Sequence, residues 1–215
     1  MDASIAMASG AATVAFVHTL AGPDHYVPFI AIGTSMKWRW PKVVGLTLLC
    51  GLGHVLSSLL LGLVGATAGA GFGHLEGIQE SAGAFAGWSL VALGGAYLLW
   101  GIWRSRKPHT HKHSADTSTT ASALAPWALF LIFAFGPCEP LIAYAFPLGL
   151  AEDWTGLLIV SVVFSVVTLV TMVAVVLVAH AGLVKLKSNK WHRYSHAIAG
   201  GAILLSGLAI TVLGL

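Results

Sequence analysis

Six side chains that can ionise or bind a metal lie inside otherwise apolar stretches: His18, Asp24, His25, His54, Cys138 and Glu139. Imidazole suits nickel, copper, zinc and iron, carboxylate adds hard oxygen character, and a single thiolate shifts preference toward the later first-row ions. In low dielectric, Asp24 and Glu139 together can neutralise a dication, and protonation of His18, His25 or Glu139 offers a way to release it. His18 precedes Asp24 by six residues and His25 by seven. Two helical turns therefore bring His18 onto the face of His25, with Asp24 beside it. The chemistry expected of this set is binding of a divalent transition-metal cation.

A four-residue phrase positions most of these groups. Gly22-Pro23-Asp24-His25 recurs as Gly136-Pro137-Cys138-Glu139, followed by Pro140. Proline lacks an amide donor and clashes with the preceding turn, and inside a bilayer a broken helix is tolerated only against protein or a water-filled cavity. The two breaks thus mark an internal site. Ser57 and Ser58 add hydroxyls next to His54, and Thr168 and Thr171 fall at corresponding places in the second half, where they line a pathway or bond their own backbone. Plainer roles exist: a single His in a bilayer can be a packing residue, as for His54 and His180, and Cys is often a small buried hydrophobe, as for Cys50 and to a lesser degree Cys138. Three ionisable groups between His18 and His25 resist that explanation, because burying them in hydrocarbon is costly. His109, His111 and His113 alternate in a polar stretch, a composition that fits a metal-binding loop or a plain linker.

The elements around these residues are those of a membrane protein. Hydrophobic residues make up 57% of the chain and charged ones 9%, too apolar for a soluble domain. Spans long enough to cross a bilayer read at 5–32, 43–68, 78–103, 126–148, 156–184 and 194–215. The first lacks a basic leader and carries Asp2, so it reads as a retained helix rather than a signal peptide. Lys37, Arg39 and Lys42, then Arg104, Arg106, Lys107 and Lys112, then Lys185, Lys187, Lys190 and Arg193 follow alternate spans, whereas Asp2, Glu76, Glu80, Glu152 and Asp153 occupy the other loops. The positive-inside rule then gives a multi-pass protein of the inner or plasma membrane with both termini extracytoplasmic, and its net charge of +3 reflects topology, not a nucleic-acid surface. Trp38, Trp40, Trp103, Trp127, Trp154 and Trp191 sit near span ends as interface anchors.

The halves are related. Gly94-Gly95-Ala96-Tyr97-Leu98-Leu99-Trp100-Gly101 in the third span is echoed by Gly200-Gly201-Ala202-Ile203-Leu204-Leu205-Ser206-Gly207 in the sixth. With three spans per half, the second half enters from the opposite face. The expected fold is all-α: a single transmembrane domain of six helices forming two inverted three-helix repeats, 1–103 and 125–215, joined by a His-containing cytoplasmic linker at 104–124, with the first and fourth helices broken.

His18-Thr-Leu-Ala-Gly-Pro-Asp24-His25 resembles the His-Ala-Leu-Asp-x-Asp-His signature of the nickel/cobalt transporters and their UreH-like relatives, with five residues rather than four between His18 and Asp24. Gly136-Pro-Cys-Glu-Pro140 resembles the Pro-Cys breaks of cytochrome c biogenesis and thiol-disulfide electron-transfer membrane proteins, within the same wide LysE/TauE-like grouping. The first resemblance implies a secondary transporter that moves a Ni2+- or Co2+-like ion through a midplane site by alternating access, with Asp24 and His25 as ligands. The second implies an electron carrier working through a reversible disulfide. Such relatives carry one Cys at each break, whereas Asp24 here stands where Cys138 stands in the second half, and Cys50 lies in the second span. A third reading, export of a small sulfur oxyanion, is opposed by Asp24 and Glu139. No nucleophile, base and orienting group occur together, so an enzyme is not expected. The expected partners are the lipid bilayer and a divalent metal ion, with a homo-oligomer or a metallochaperone as further partners; no resident cofactor and no nucleic acid are expected.

Overall fold

The computed structural model describes residues 3–68, 72–106, 116–136, 138–185 and 194–213. Its elements run α1 (Ala3–Ala21), a 3-10 turn (Pro23–His25), α2 (Val27–Ser35), α3 (Trp40–Thr67), α4 (Phe72–Arg106), α5 (Asp116–Phe135), α6 (Glu139–Leu150), α7 (Trp154–Lys185) and α8 (Ser195–Leu213). The protein is all-α. Among the described residues five helices are long and apolar enough to cross a membrane, and a sixth span follows if the pair Pro126–Phe135 and Glu139–Leu150, bent by 44°, counts as one.

Three boundaries differ from the sequence reading. The first span breaks at Gly22-Pro23 as expected, but Asp24 and His25 lie in a 3-10 turn between α1, which ends at Ala21, and α2, which starts at Val27, so no continuous two turns of helix join His18 to His25. The segment 116–122, read as linker, is already helical in α5. Glu76 and Glu80, read as loop residues, lie on α4, which begins at Phe72; exposed glutamates are tolerated in the end turns of a long helix that reach out of the apolar layer.

The two short helices end in the same way. Trp38 N–H donates to the Gly33 carbonyl and Lys37 N–H to that of Thr34; Asp153 N–H donates to Leu148 and Glu152 N–H to Gly149. Lys37 and Glu152 both take left-handed backbone, with φ of 55° and 54°. Each is a Schellman-type helix end built without glycine.

Helices α4 and α8 form the closest pair. Gly87, Gly94 and Gly101 recur every seven residues on α4, as Gly200 and Gly207 do on α8. A Cβ on Gly94 would collide with the backbone at Leu204, one on Gly101 with Ala197, one on Gly200 with Leu98 and one on Gly207 with Val91. Rising positions on one helix meet falling positions on the other, so the pair is antiparallel, and the missing side chains let the two backbones touch. Two further sets of contacts match between the halves, α1 on α7 with α5 on α3, and α6 on α3 with α2 on α7, whereas α2 packs on α8 and α5 on α4 without a comparable counterpart among the described residues. The main core joins Phe29, Ile32, Leu129, Phe133, Met172 and Val176 around Cys50.

Candidate functional site

The Gly-Pro breaks release backbone acceptors that then fix imidazoles. In an unbroken helix the carbonyl of Gly136 would receive the amide of the residue four places on, but that residue is Pro140, which has none. The His54 ring on α3 fills the gap, with Nδ1 hydrogen-bonded to the Gly136 carbonyl oxygen. At the first break His25 Nδ1 lies 3.1 Å from the Gly22 carbonyl oxygen. It also lies 3.1 Å from Asp24 Oδ1. A carbonyl only accepts, so both rings carry their proton on Nδ1 and leave the Nε2 lone pair free. This backbone-oriented tautomer is the arrangement that supports metal-ligating histidines.

The free nitrogens converge. Nε2 of His18, His25 and His54 are all buried without a hydrogen-bond partner. The His25 ring stands edge-on between the other two, 4.9 Å from His18 and 5.2 Å from His54 between centroids. A buried imidazole nitrogen left without any partner costs about 1–3 kcal/mol, a penalty that a bound ion would remove. Ligand atoms of His18, His54 and Cys138 lie within 4.8 Å of one another. In an equilateral triangle of that side the centre is about 2.8 Å from each corner, so shifts of about 0.5–0.8 Å bring nitrogen and sulfur to ordinary bonding distances of about 2.0–2.3 Å. The residues present therefore fit a nitrogen, nitrogen and sulfur centre.

Cys138 is held in place from α3. Its amide donates to Ser58 Oγ at 2.6 Å, and Ser58 in turn donates to the His54 carbonyl. The thiol is fully buried beside Ala15, Val55, Leu141 and Phe164. Small Gly22 is required next to the other ligands, since a Cβ there would lie 2.5 Å from His25 Nδ1 and 2.7 Å from Asp24 Oδ1.

Several expected residues take other places. His18 and His25 do meet, though through a 3-10 turn instead of two turns of one helix. Asp24 Oδ1 lies 3.1 Å from His25 Nδ1 and is outside the three-atom group, while it lines the same cavity as His18, His25 and His54. Glu139 is exposed and also outside the group, because it opens α6 and its side chain diverges from that of Cys138, the extended residue before the helix. Ser57 bonds the His54 carbonyl. Thr168 Oγ1 is buried without a partner, and Thr171 is buried. Cys50 is a free thiol within the main core, and Cys138 is a free thiol in another cluster. Pro137, His109, His111 and His113 lie outside the described residues.

A cavity of about 500 Å3 connects Asp24, His25 and His54 with Glu80 on α4 and Glu139 and Pro140 on α6. Its wall on α4 combines small residues, Gly83, Ala84, Ala86 and Gly87, with Trp88 and Leu90. Glu80 was not singled out from sequence, although it shares a helix face with Gly83, Ala84 and Gly87 at spacings of three, four and seven.

The sequence matches the family of cytochrome c biogenesis protein transmembrane regions over residues 7–209. The chain belongs to that family. No curated protein and no solved structure matches it. For a cytochrome c biogenesis-type membrane protein the second of the two resemblances is the relevant one, and the match lends no weight to nickel, cobalt or UreH-like relatives. It favours the thiol-disulfide reading over metal transport, while this family member brings a thiol and imidazoles to a single point.

Proposed function

We propose that this cytochrome c biogenesis-type protein binds a later first-row transition-metal cation at His18, His54 and Cys138 and passes it across the cell membrane as cargo, without catalysing a reaction. The observation that carries the reading is the convergence of one ligand atom each from His18, His54 and Cys138 within 4.8 Å, with the His25 imidazole beside them. Asp24 orients His25, and Gly136 and Ser58 hold His54 and Cys138. Among the described residues, Asp24, Glu80 and Glu139 line the adjoining cavity and no Lys or Arg does, which opposes an anion as cargo.

The same proposal includes two inverted repeats that expose the centre alternately to the two sides. It is supported by the two matching sets of contacts that α3 and α7 make, by the matching helix ends at Lys37 and Glu152 and by the antiparallel glycine pairing of α4 with α8. Arg104 and Arg106 at the end of α4 support a cytoplasmic position for that end and extracytoplasmic termini.

Family membership favours a second reading, a thiol-disulfide electron carrier. Here Cys138 and Cys50 would form a disulfide by passing two electrons and two protons to the disulfide of an oxidised partner on one side, which leaves as a dithiol, and would be reduced again by a dithiol partner on the other side, which leaves as a disulfide. The separate packing of the two thiols weighs against it. Anaerobic metal-binding stoichiometry on purified protein, alongside a free-thiol count after mild oxidation, separates the two. One tightly held ion per chain, lost in the double variant His18→Ala, His54→Ala, supports the metal reading. No bound ion together with an oxidant-induced Cys50 to Cys138 disulfide overturns it in favour of electron transfer.

A further inference from the structure

We propose that Glu80 and Glu139 form an acidic mouth that collects the hydrated divalent cation and feeds it, past Asp24, to the buried His and Cys ligands. The inference rests on the metal reading above and adds a route and a residue, Glu80, to it. Both carboxylates are exposed, and both line the cavity whose inner wall holds His25 and His54. Those two imidazoles are 2% and 5% exposed, both line the cavity, and the buried Nε2 of each has no hydrogen-bond partner among the described residues. The acids therefore stand at the open end of a space that finishes in unsatisfied metal-ligand atoms.

The wall between them suits a hydrated ion. Gly83, Ala84, Ala86 and Gly87 project little from α4 between Glu80 and the larger Trp88 and Leu90, which also line the cavity. Among the described residues no Lys or Arg lines it. A cleft lined by one sign of charge with low-dielectric walls focuses the field and raises local counter-ion concentration, accelerating association by about 10- to 1000-fold. The α4 residues that line it run from Glu80 to Leu90, distant from Arg104 and Arg106 at the other end of that helix. Glu76 lies on the same helix, is exposed, and does not line the cavity.

The test is stopped-flow binding of Co2+ to the full chain in detergent, followed by thiolate-to-cobalt charge-transfer absorption, at several ionic strengths. In the double variant Glu80→Gln, Glu139→Gln the association rate falls by about tenfold or more and loses most of its salt dependence, while one Co2+ per chain still binds with the same spectrum. Glu76→Gln leaves the rate unchanged. An unaltered rate in the double variant, or an equal fall in Glu76→Gln, overturns the mouth and leaves the buried centre standing. Absence of the cobalt-thiolate band in the unsubstituted protein overturns the metal reading itself, and the mouth with it.

Discussion

His54 donates its Nδ1–H to the carbonyl oxygen of Gly136, an acceptor left open because Pro140, four residues on, has no amide to give. A proline on α6 thus sets the tautomer of a histidine on α3. Replacing Pro140 by Ala supplies a competing amide for that carbonyl. The expected outcome is a metal affinity lower by about 10- to 100-fold, the usual effect of losing an outer-sphere partner. Equilibrium competition against a chromophoric chelator measures it, and unchanged affinity would remove the role assigned to the break.

Gly22 has no room for a side chain, since an added Cβ would press on His25 Nδ1 and Asp24 Oδ1. Gly22→Ala should displace the His25 ring and weaken metal binding, whereas Gly95→Ala, with open space around its position, should not. Both variants are compared in the same chelator competition, and equal effects would contradict the local geometry.

His18 and Cys138 contribute ligand atoms to one centre. Single replacements His18→Ala and Cys138→Ala should each abolish most of the binding, and the double variant should lose little more. A double-mutant cycle reads this as a coupling energy of about 0.5–3 kcal/mol, typical of residues that share partners. Fully additive losses would assign the two residues to separate sites.

A thiol and two imidazoles must be unprotonated at the coordinating atom before they can ligate a cation. Protons therefore compete with the metal, so affinity rises as pH rises and binding releases protons. Calorimetric titrations in buffers of different ionisation enthalpy count the protons released. A binding constant flat across the titration range of free imidazole and thiol would oppose ligation by these groups.

The α4–α8 contact is made of glycine against backbone. Gly94→Ala or Gly200→Ala should destabilise the fold by about 1–3 kcal/mol, the usual cost of overpacking, and Gly201→Ala, where nothing lies near, should be close to neutral. Thermal unfolding in detergent, followed by tryptophan fluorescence, distinguishes them.

Much of this protein is written locally. Its all-helical character and membrane spans follow from apolar runs that must satisfy their own backbone hydrogen bonds in lipid, which any sequence window displays. The breaks at Gly22-Pro23 and Gly136-Pro137 were legible for the same reason, because a missing amide is a property of the residue itself. So were the glycine echoes on α4 and α8, though only packing revealed that the echoed faces touch each other. The ligand set was legible in residue type and incompletely in membership. Tertiary structure decided that Cys138 joins His18 and His54 while its neighbour Glu139 lines an outer cavity, because successive residues at a helix start diverge by about 100° and only the position of α3 says which direction is inward. It also decided that Glu80, a surface acid in the sequence, shares a cavity with buried imidazoles. Those relationships join residues far apart in the chain, and their distances are fixed by helix packing, which no local pattern encodes.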